Sequence, residues 1–319
     1  MPDSSHLLIP YAASHAPSGR AVLRELRLPN LGRLLGRLAR TVTDRDDPAH
    51  EHPRAMPHER ALARALGLPP VDGLTPWAAW QRLQAGQAPG HDAWAWFTPC
   101  HWQVGMDQVI LLDPEALQLS EAEAQALLAA ITPLTTEDGI ELAFDLPGRW
   151  LARGEAFRDL ATASLDRVIG QNVKPWLPAG PGARLLQRLQ SELQMLLYTH
   201  PVNEARAARG LAPVNAFWLS GAGPLAQAPA APGSPPQVAD GLRASALRED
   251  WAAWAQAWQR LDAEDIARLL ATQQQTGHAT LTLCSEHSAQ TFEAVPLHPW
   301  TRMTRLFKKK PLSSVLEAL

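Results

Sequence analysis

The chain has 319 residues, 46% of them hydrophobic and 19% charged, with a formal net charge of −3. That balance excludes disordered and fibrous classes and leaves one or two folded domains with a sizeable core. A pI near 6.4 lacks the basic footprint of a nucleic-acid binder, and no run approaches the roughly 18 apolar residues of a membrane span. The start, residues 1–14, has none of the features of a signal peptide. A cytoplasmic protein that binds neither nucleic acid nor membrane is therefore expected. Cys100 and Cys284 stand far apart and outside any CxxC spacing, which predicts two buried, reduced thiols rather than a disulfide or a thiolate metal site.

Along the chain, His6–Ala12 (HLLIPYA) reads as a first buried strand. Leucines at 23, 26, 31, 34, 35 and 38 follow helical spacing over residues 20–40, with Pro29 as a break or first-turn residue between two helices. Residues 43–57 (TDRDDPAHEHPRAMP) are polar and proline-punctuated, the pattern of an exposed loop, and helix resumes over residues 58–66. Aromatic and β-branched residues from Ala93 to Leu112 suggest two strands turning near Gly105–Gln108. Ser120 with Glu123 three residues on is a capping box that opens a helix. Two short strands flank Pro147–Gly148. A leucine stripe at 185, 189, 193 and 196 marks an amphipathic helix that stops at His200–Pro201. Ala216–Leu219 reads as a strand ending in Ser220-Gly221-Ala222-Gly223. Residues 224–237 read as a linker, 251–258 as a helix and 279–284 as a strand.

Several residues could carry chemistry. Asp46, Asp47, His50, His52 and His58 are the densest set of potential metal ligands, but no periodic element fixes their geometry, so a solvated loop competes with a zinc site. Trp251, Trp254 and Trp258 share a helical face, which serves either as a stacking platform or, more simply, as packing. Phe307–Lys310 carries three lysines, too few for a phosphate or lipid patch. The glycines of Ser220–Gly223 resemble a phosphate-cradling loop without the rest of a dinucleotide fingerprint. Nucleophile-elbow, P-loop, HExxH and kinase signatures are all missing.

The segment His200–Gly223 (HPVNEARAARGLAPVNAFWLSGAG) resembles the HPxN…R…G…PxN…WLWGxG signature of archaeal-type cofactor-independent phosphoglycerate mutases of the alkaline phosphatase superfamily. Residues 28–34, 93–113 and 119–124 resemble further mutase segments in the same order. Residues 163–170, 194–203 and 281–284 bring the pattern closer to bacterial RpfE-type regulatory proteins, an offshoot of those mutases. The resemblance implies an α/β fold with a reduced, mostly parallel alkaline-phosphatase-like sheet and flanking helices. It places a core in residues 1–88 and 184–319 and an inserted α+β subdomain in residues 89–183. It also implies two divalent metals held by Asp and His and a metal-activated Ser or Thr nucleophile, and here the chain departs from the pattern. Pro10–Ser14 replaces the GDG-like turn, Pro57 and His58 stand where Ser and Asp would be, and Trp251–Leu270 lacks the DExxHxGD carboxylates. Only Ser285-Glu286-His287-Ser288 echoes the late ADHS element.

These departures point to a non-catalytic regulatory or scaffolding relative, with no catalytic residue and no cofactor, that binds a phosphorylated small molecule or a protein partner. Asn203, Arg206, Asn215, Gly221 and Gly223 are the candidate anion pocket, weighed against a purely architectural role for the same segment. One alternative is a metal-dependent mutase or phosphatase with a site rebuilt from His50, His52, His58 and His287, for which a divalent metal would be the cofactor. Another is a structural interaction module built on the tryptophan face and the proline-rich loop.

Overall fold

Strand alternation and helical capping build the elements in turn. The computed structural model describes residues 5–178, 182–225, 227–229, 234–294 and 312–319. In chain order these form β1 (His6–Ile9), α1 (Pro17–Glu25), α2 (Pro29–Leu35), β2 (Leu38–Arg45), α3 (Pro57–Leu66), α4 (Trp77–Gln84), β3 (Ala93–Cys100), β4 (Trp102–Val104) and β5 (Val109–Leu111). They continue with α5 (Glu121–Glu137), β6 (Glu141–Leu146), β7 (Arg149–Arg153), α6 (Leu165–Val168), α7 (Ala183–Tyr198), α8 (Pro201–Ala208) and β8 (Ala216–Pro224). Last come β9 (Gln237–Val238), α9 (Arg243–Leu247), α10 (Trp251–Leu261), α11 (Ala267–Thr276), β10 (Thr280–Cys284), β11 (Ser288–Ala294) and α12 (Leu312–Leu316). The fold class is mixed α/β. Phe307–Lys310 lies outside the described residues.

The chain divides into two units, one from residues 1–50, 56–68 and 230–319 and one from 51–55 and 69–229. In the first, a five-stranded sheet has the order β2-β11-β10-β1-β9. β1 runs parallel to β10 and β9, whereas β11 and β2 add antiparallel pairs, so the sheet is parallel at its centre and mixed as a whole. Period-two alternation splits β1 between two layers: Leu7 and Ile9 enter the main core with Leu281 and Leu283, while Leu8 joins Cys284, Ala289 and Ala61 of α3 on the other face. The polar edge strand β2 falls partly where a loop was expected. Its residues are mostly exposed, so it lacks the apolar alternation that marks half-buried strands.

The tryptophan face of α10 belongs to this first core. Trp254 and Trp258 are both fully buried, with T-shaped contacts from Trp251 to Trp254 at 5.9 Å and from Trp254 to Trp258 at 6.2 Å. Packing, not a ligand platform, is what these residues do. Asp262, buried just beyond α10, accepts N–H bonds from Asn30 and Leu31 and so caps α2. His6 Nε2 lies 3.0 Å from Thr282 Oγ1 across the β1–β10 pair. Burial lowers the pKa of this imidazole to about 4, from an ordinary 6.5. The folded form therefore binds fewer protons than the unfolded one between those values. The stability His6 contributes is present above pH 6.5 and is lost as pH falls through about 4. Melting temperature should drop between pH 7 and pH 4.5, and His6→Gln should flatten that slope in a pH series of thermal melts.

The second unit holds a four-stranded antiparallel sheet, β6-β7-β3-β8, and a β4–β5 hairpin that turns at Gly105–Gln108 as the sequence predicts. One face of the larger sheet packs on α5 and α7 through Leu127, Ile131, Leu189 and Leu193, with Phe97, Trp150 and Phe217 clustered at ring separations of 4.5–6.3 Å. The capping box opens α5 where expected: the Ser120 N–H donates to Glu123 at 2.9 Å, and the Ser120 hydroxyl accepts the Glu123 N–H at 3.3 Å. Residues 184–229 belong to this unit rather than with the chain ends, because β8 is hydrogen-bonded along its length to β3.

Candidate functional site

Open α/β sheets bind ligands beyond the carboxyl ends of parallel strands, and in the first unit β1 and β10 end side by side. Past β1 the chain turns through Tyr11, a non-glycine residue at φ 55°. Its carbonyl is held by the Trp254 indole N–H at 3.0 Å, and buried Ala12, Ala13 and Ser14 lead on to His15. The β10–β11 connection carries Ser285, Glu286 and His287, and Asp46 follows β2.

Two histidine–carboxylate pairs meet here. His15 Nδ1 lies 3.1 Å from Glu286, His287 Nδ1 lies 3.1 Å from Asp46, and the two imidazoles stand edge to face at 5.1 Å. Arg60 of α3 binds Asp44 and Asp46, each at 2.9 Å. Burial would lower the pKa of this guanidinium, but the two carboxylates outweigh that effect and raise it. Both imidazoles are partly exposed to solvent. Among the described residues, the nearby seryl hydroxyls are engaged with backbone groups. Ser14 Oγ accepts the Ala16 N–H, and the buried Ser285 and Ser288 hydroxyls donate to the backbone carbonyl of Leu319. The segment of α12 that ends there also buries Leu316 and Leu319 in the first core.

The structure scatters the histidines proposed as fallback ligands. His50 pairs with Asp47 at 3.1 Å on the surface, His52 packs edge-on against Trp176, and His58 lies 5.8 Å from the Tyr11 ring. Only His287 reaches the strand-end cluster. Among the described residues there is no group of three or more His, Cys, Asp or Glu side chains that could hold a metal ion. His15 was missed by sequence reasoning. Its signal, a polar residue shortly after the first buried strand, becomes distinctive only once β1 and β10 are paired.

The candidate anion residues lie in the second unit, and their polar groups are committed to the backbone and, for Arg206, also to Glu123. Asn203 Nδ2 donates to the carbonyls of Leu197 and Val214, both at 2.8 Å, and its Oδ1 accepts the Val214 N–H at 2.9 Å. Asn215 accepts the Trp102 N–H at 2.7 Å and donates to the Trp102 carbonyl at 3.0 Å. Arg206, fully buried, donates to Ala212 O, Leu117 O and Glu123. His200 caps α8 by accepting the Val202 N–H, with Pro201 in the first turn. Gly221 and Gly223 do not form a loop after the strand. They lie inside β8 at a register shift against β3, with φ of 62° and 142°. A Cβ on Gly221 would meet Trp77 at 2.9 Å and Trp96 at 3.1 Å. These glycines serve a bulge and a close aromatic approach. The contacts that these six residues make are architectural.

No family model matches the chain. It is 32% identical over 109 residues, 30% of its length, to the 2,3-bisphosphoglycerate-independent phosphoglycerate mutase of Methanothrix thermoacetophila. It is 28% identical over 119 residues, 36% of its length, to a probable mutase of the same kind from Geobacter sulfurreducens. Over those stretches the chain is related to cofactor-independent phosphoglycerate mutases. The matched stretches span 28% and 29% of the relatives' own lengths. Among solved structures, the cofactor-independent phosphoglycerate mutase of Thermoplasma acidophilum is similar at 16% identity and a TM-score of 0.36, covering 90% of this chain and 89% of that one. A protein of Pyrococcus horikoshii is similar at 14% identity and a TM-score of 0.47, covering 90% of this chain and 86% of its own. No helix among the described residues is long and apolar enough to cross a membrane.

Proposed function

We propose that this chain is a non-catalytic relative of the cofactor-independent phosphoglycerate mutases that acts by binding, in a regulatory or scaffolding role of the kind its resemblance to RpfE-type proteins implies. The observation that carries this reading is the composition of the strand-end cluster. Where a two-metal phosphoryl transfer needs several hard oxygen ligands and a free hydroxyl, the turn after β1 offers Tyr11, Ala12, Ala13 and Ser14. The carboxylates present are Asp44 and Asp46, held by Arg60, and Glu286, paired with His15. The nearby seryl hydroxyls are engaged with backbone groups. This donor set does not fit the metal pair of the mutases.

Purified protein should neither interconvert phosphoglycerates nor hydrolyse p-nitrophenyl phosphate above background with added manganese, zinc or magnesium. His15→Ala and His287→Ala should leave that result unchanged. Turnover that rises with metal and is abolished by His287→Ala would overturn the reading in favour of a rebuilt metalloenzyme.

A further inference from the structure

The second unit contains a cavity of about 250 Å³ between α7, the following edge of β8 and the chain around Trp102 and Leu177. Helical spacing directs Ala183, Leu186, Gln190 and Gln194 of α7 to one side of it, and Phe217 and Trp218 of β8 form the other wall. Two features of this cavity bear on what it can hold. None of its described lining residues is charged or a histidine, so a phosphate or carboxylate entering it would lose hydration without gaining a counter-ion from them. And the amide of Gln190, in the cavity wall, is oriented and half used: its Oε1 accepts the Phe217 N–H at 3.2 Å, while its Nε2 is buried with no hydrogen-bond partner. A buried donor left unpaired carries an uncompensated desolvation cost, which a bound acceptor would recover.

We propose that this cavity is a binding site for a small, neutral, ring-containing molecule that bears a carbonyl-type acceptor, which takes the hydrogen bond from Gln190 Nε2 while the ring packs between Leu186 and the Phe217–Trp218 wall. The volume, a little under the roughly 300–1,000 Å³ usual for ligand sites, limits the occupant to about one ring with short substituents. Aromatic walls with one oriented polar group are the common make-up of such sites. The site is independent of the mutase relationship and takes ligand chemistry opposite to that of a phosphorylated metabolite.

The test is fluorine NMR on the full chain at pH 8 with three probes: 4′-fluoroacetanilide, 4-fluoroethylbenzene and 4-fluorophenyl phosphate. The acetanilide should bind saturably, the hydrocarbon at least fivefold more weakly, and the phosphate not at all. Gln190→Glu retains an oxygen for the Phe217 N–H and replaces the donor with a second oxygen, so it should weaken the acetanilide at least fivefold and leave the hydrocarbon's affinity unchanged. Ala183→Phe, which fills the cavity, should abolish binding of both, and Ser191→Phe at the rim serves the same purpose if Ala183→Phe fails to fold. Absence of saturable acetanilide binding, equal affinity for acetanilide and hydrocarbon, or binding that survives the filled cavity would each overturn the proposal.

Discussion

Arg206→Ala is expected to destabilise the second unit by about 3–5 kcal/mol, the range for breaking a buried ion pair by removing one partner. The guanidinium is fully buried and ties three separate stretches together: Leu117 before α5, Ala212 after α8, and Glu123 in the first turn of α5. Its removal leaves the buried Leu117 carbonyl and the part-buried Ala212 carbonyl without this donor and Glu123 without one of its two cations. Arg206→Lys should recover only part of the loss, because one ammonium cannot reproduce the planar fork that spans these acceptors. Urea denaturation followed by far-ultraviolet circular dichroism gives the numbers. A loss under about 1 kcal/mol would be that of an exposed pair and would contradict the buried geometry.

The same network carries a pH signature. Partial burial would raise the Glu123 carboxyl, but the Ser120 N–H and hydroxyl, together with Arg209 and Arg206, outweigh it and hold the pKa at about 2, below an ordinary 4.5. A depressed carboxylate contributes stability that is present above its unfolded pKa and lost as pH falls through the folded one. The wild-type protein should thus weaken between pH 4.5 and pH 2. Glu123→Gln keeps a side chain able to close the capping box and should remove that portion of the acid dependence.

The second large effect concerns the first unit. Trp254→Ala should cost about 3–5 kcal/mol, the range for truncating a fully buried large aromatic side chain. Trp254 sits between Trp251 and Trp258 in the core, and its indole N–H holds the carbonyl of Tyr11 at the turn after β1. That turn places His15 beside His287, so the substitution should also disturb the strand-end cluster. Trp254→Phe retains most of the packing and loses the hydrogen bond, and should fall between Ala and wild type. Thermal melts with near-ultraviolet circular dichroism would separate the three. Near-wild-type melting of Trp254→Ala would show that the core does not depend on this side chain.

What could be read in advance follows from the range of the interactions involved. The start of α5 was legible because a capping box is complete within four residues. Pro29 was legible as a break or first-turn residue and opens α2, where its missing N–H costs nothing; Pro57 and Pro201, read as the end of a loop and the stop of α7, open α3 and α8 in the same way. The β4–β5 turn was legible from Gly105 and its neighbours. β2 and β11 were not: β2 is a polar strand held by pairing with β11, far along the chain, and β11, which folds back on β10 across the short 285–287 turn, mixes polar and apolar residues without a clean alternation. The signature segment was recognisable, yet its role was not. Nothing in the string HPVN or PVN says that Asn203 and Asn215 spend their amides on backbone groups of Val214 and Trp102.

From the sequence came the capped and periodic elements and the burial of both cysteines, because capping, periodicity and composition act over a few residues, while the α/β class and the relationship to the mutases over part of the chain came from the resemblance of the signature segment. Tertiary structure alone decided which side chains meet. His15 and Glu286 are 271 residues apart and Asp46 and His287 are 241 apart. Such pairs come together only when strand register and sheet order bring β1, β10, β11 and β2 side by side, and those are fixed by burial across the whole core rather than by any local spacing.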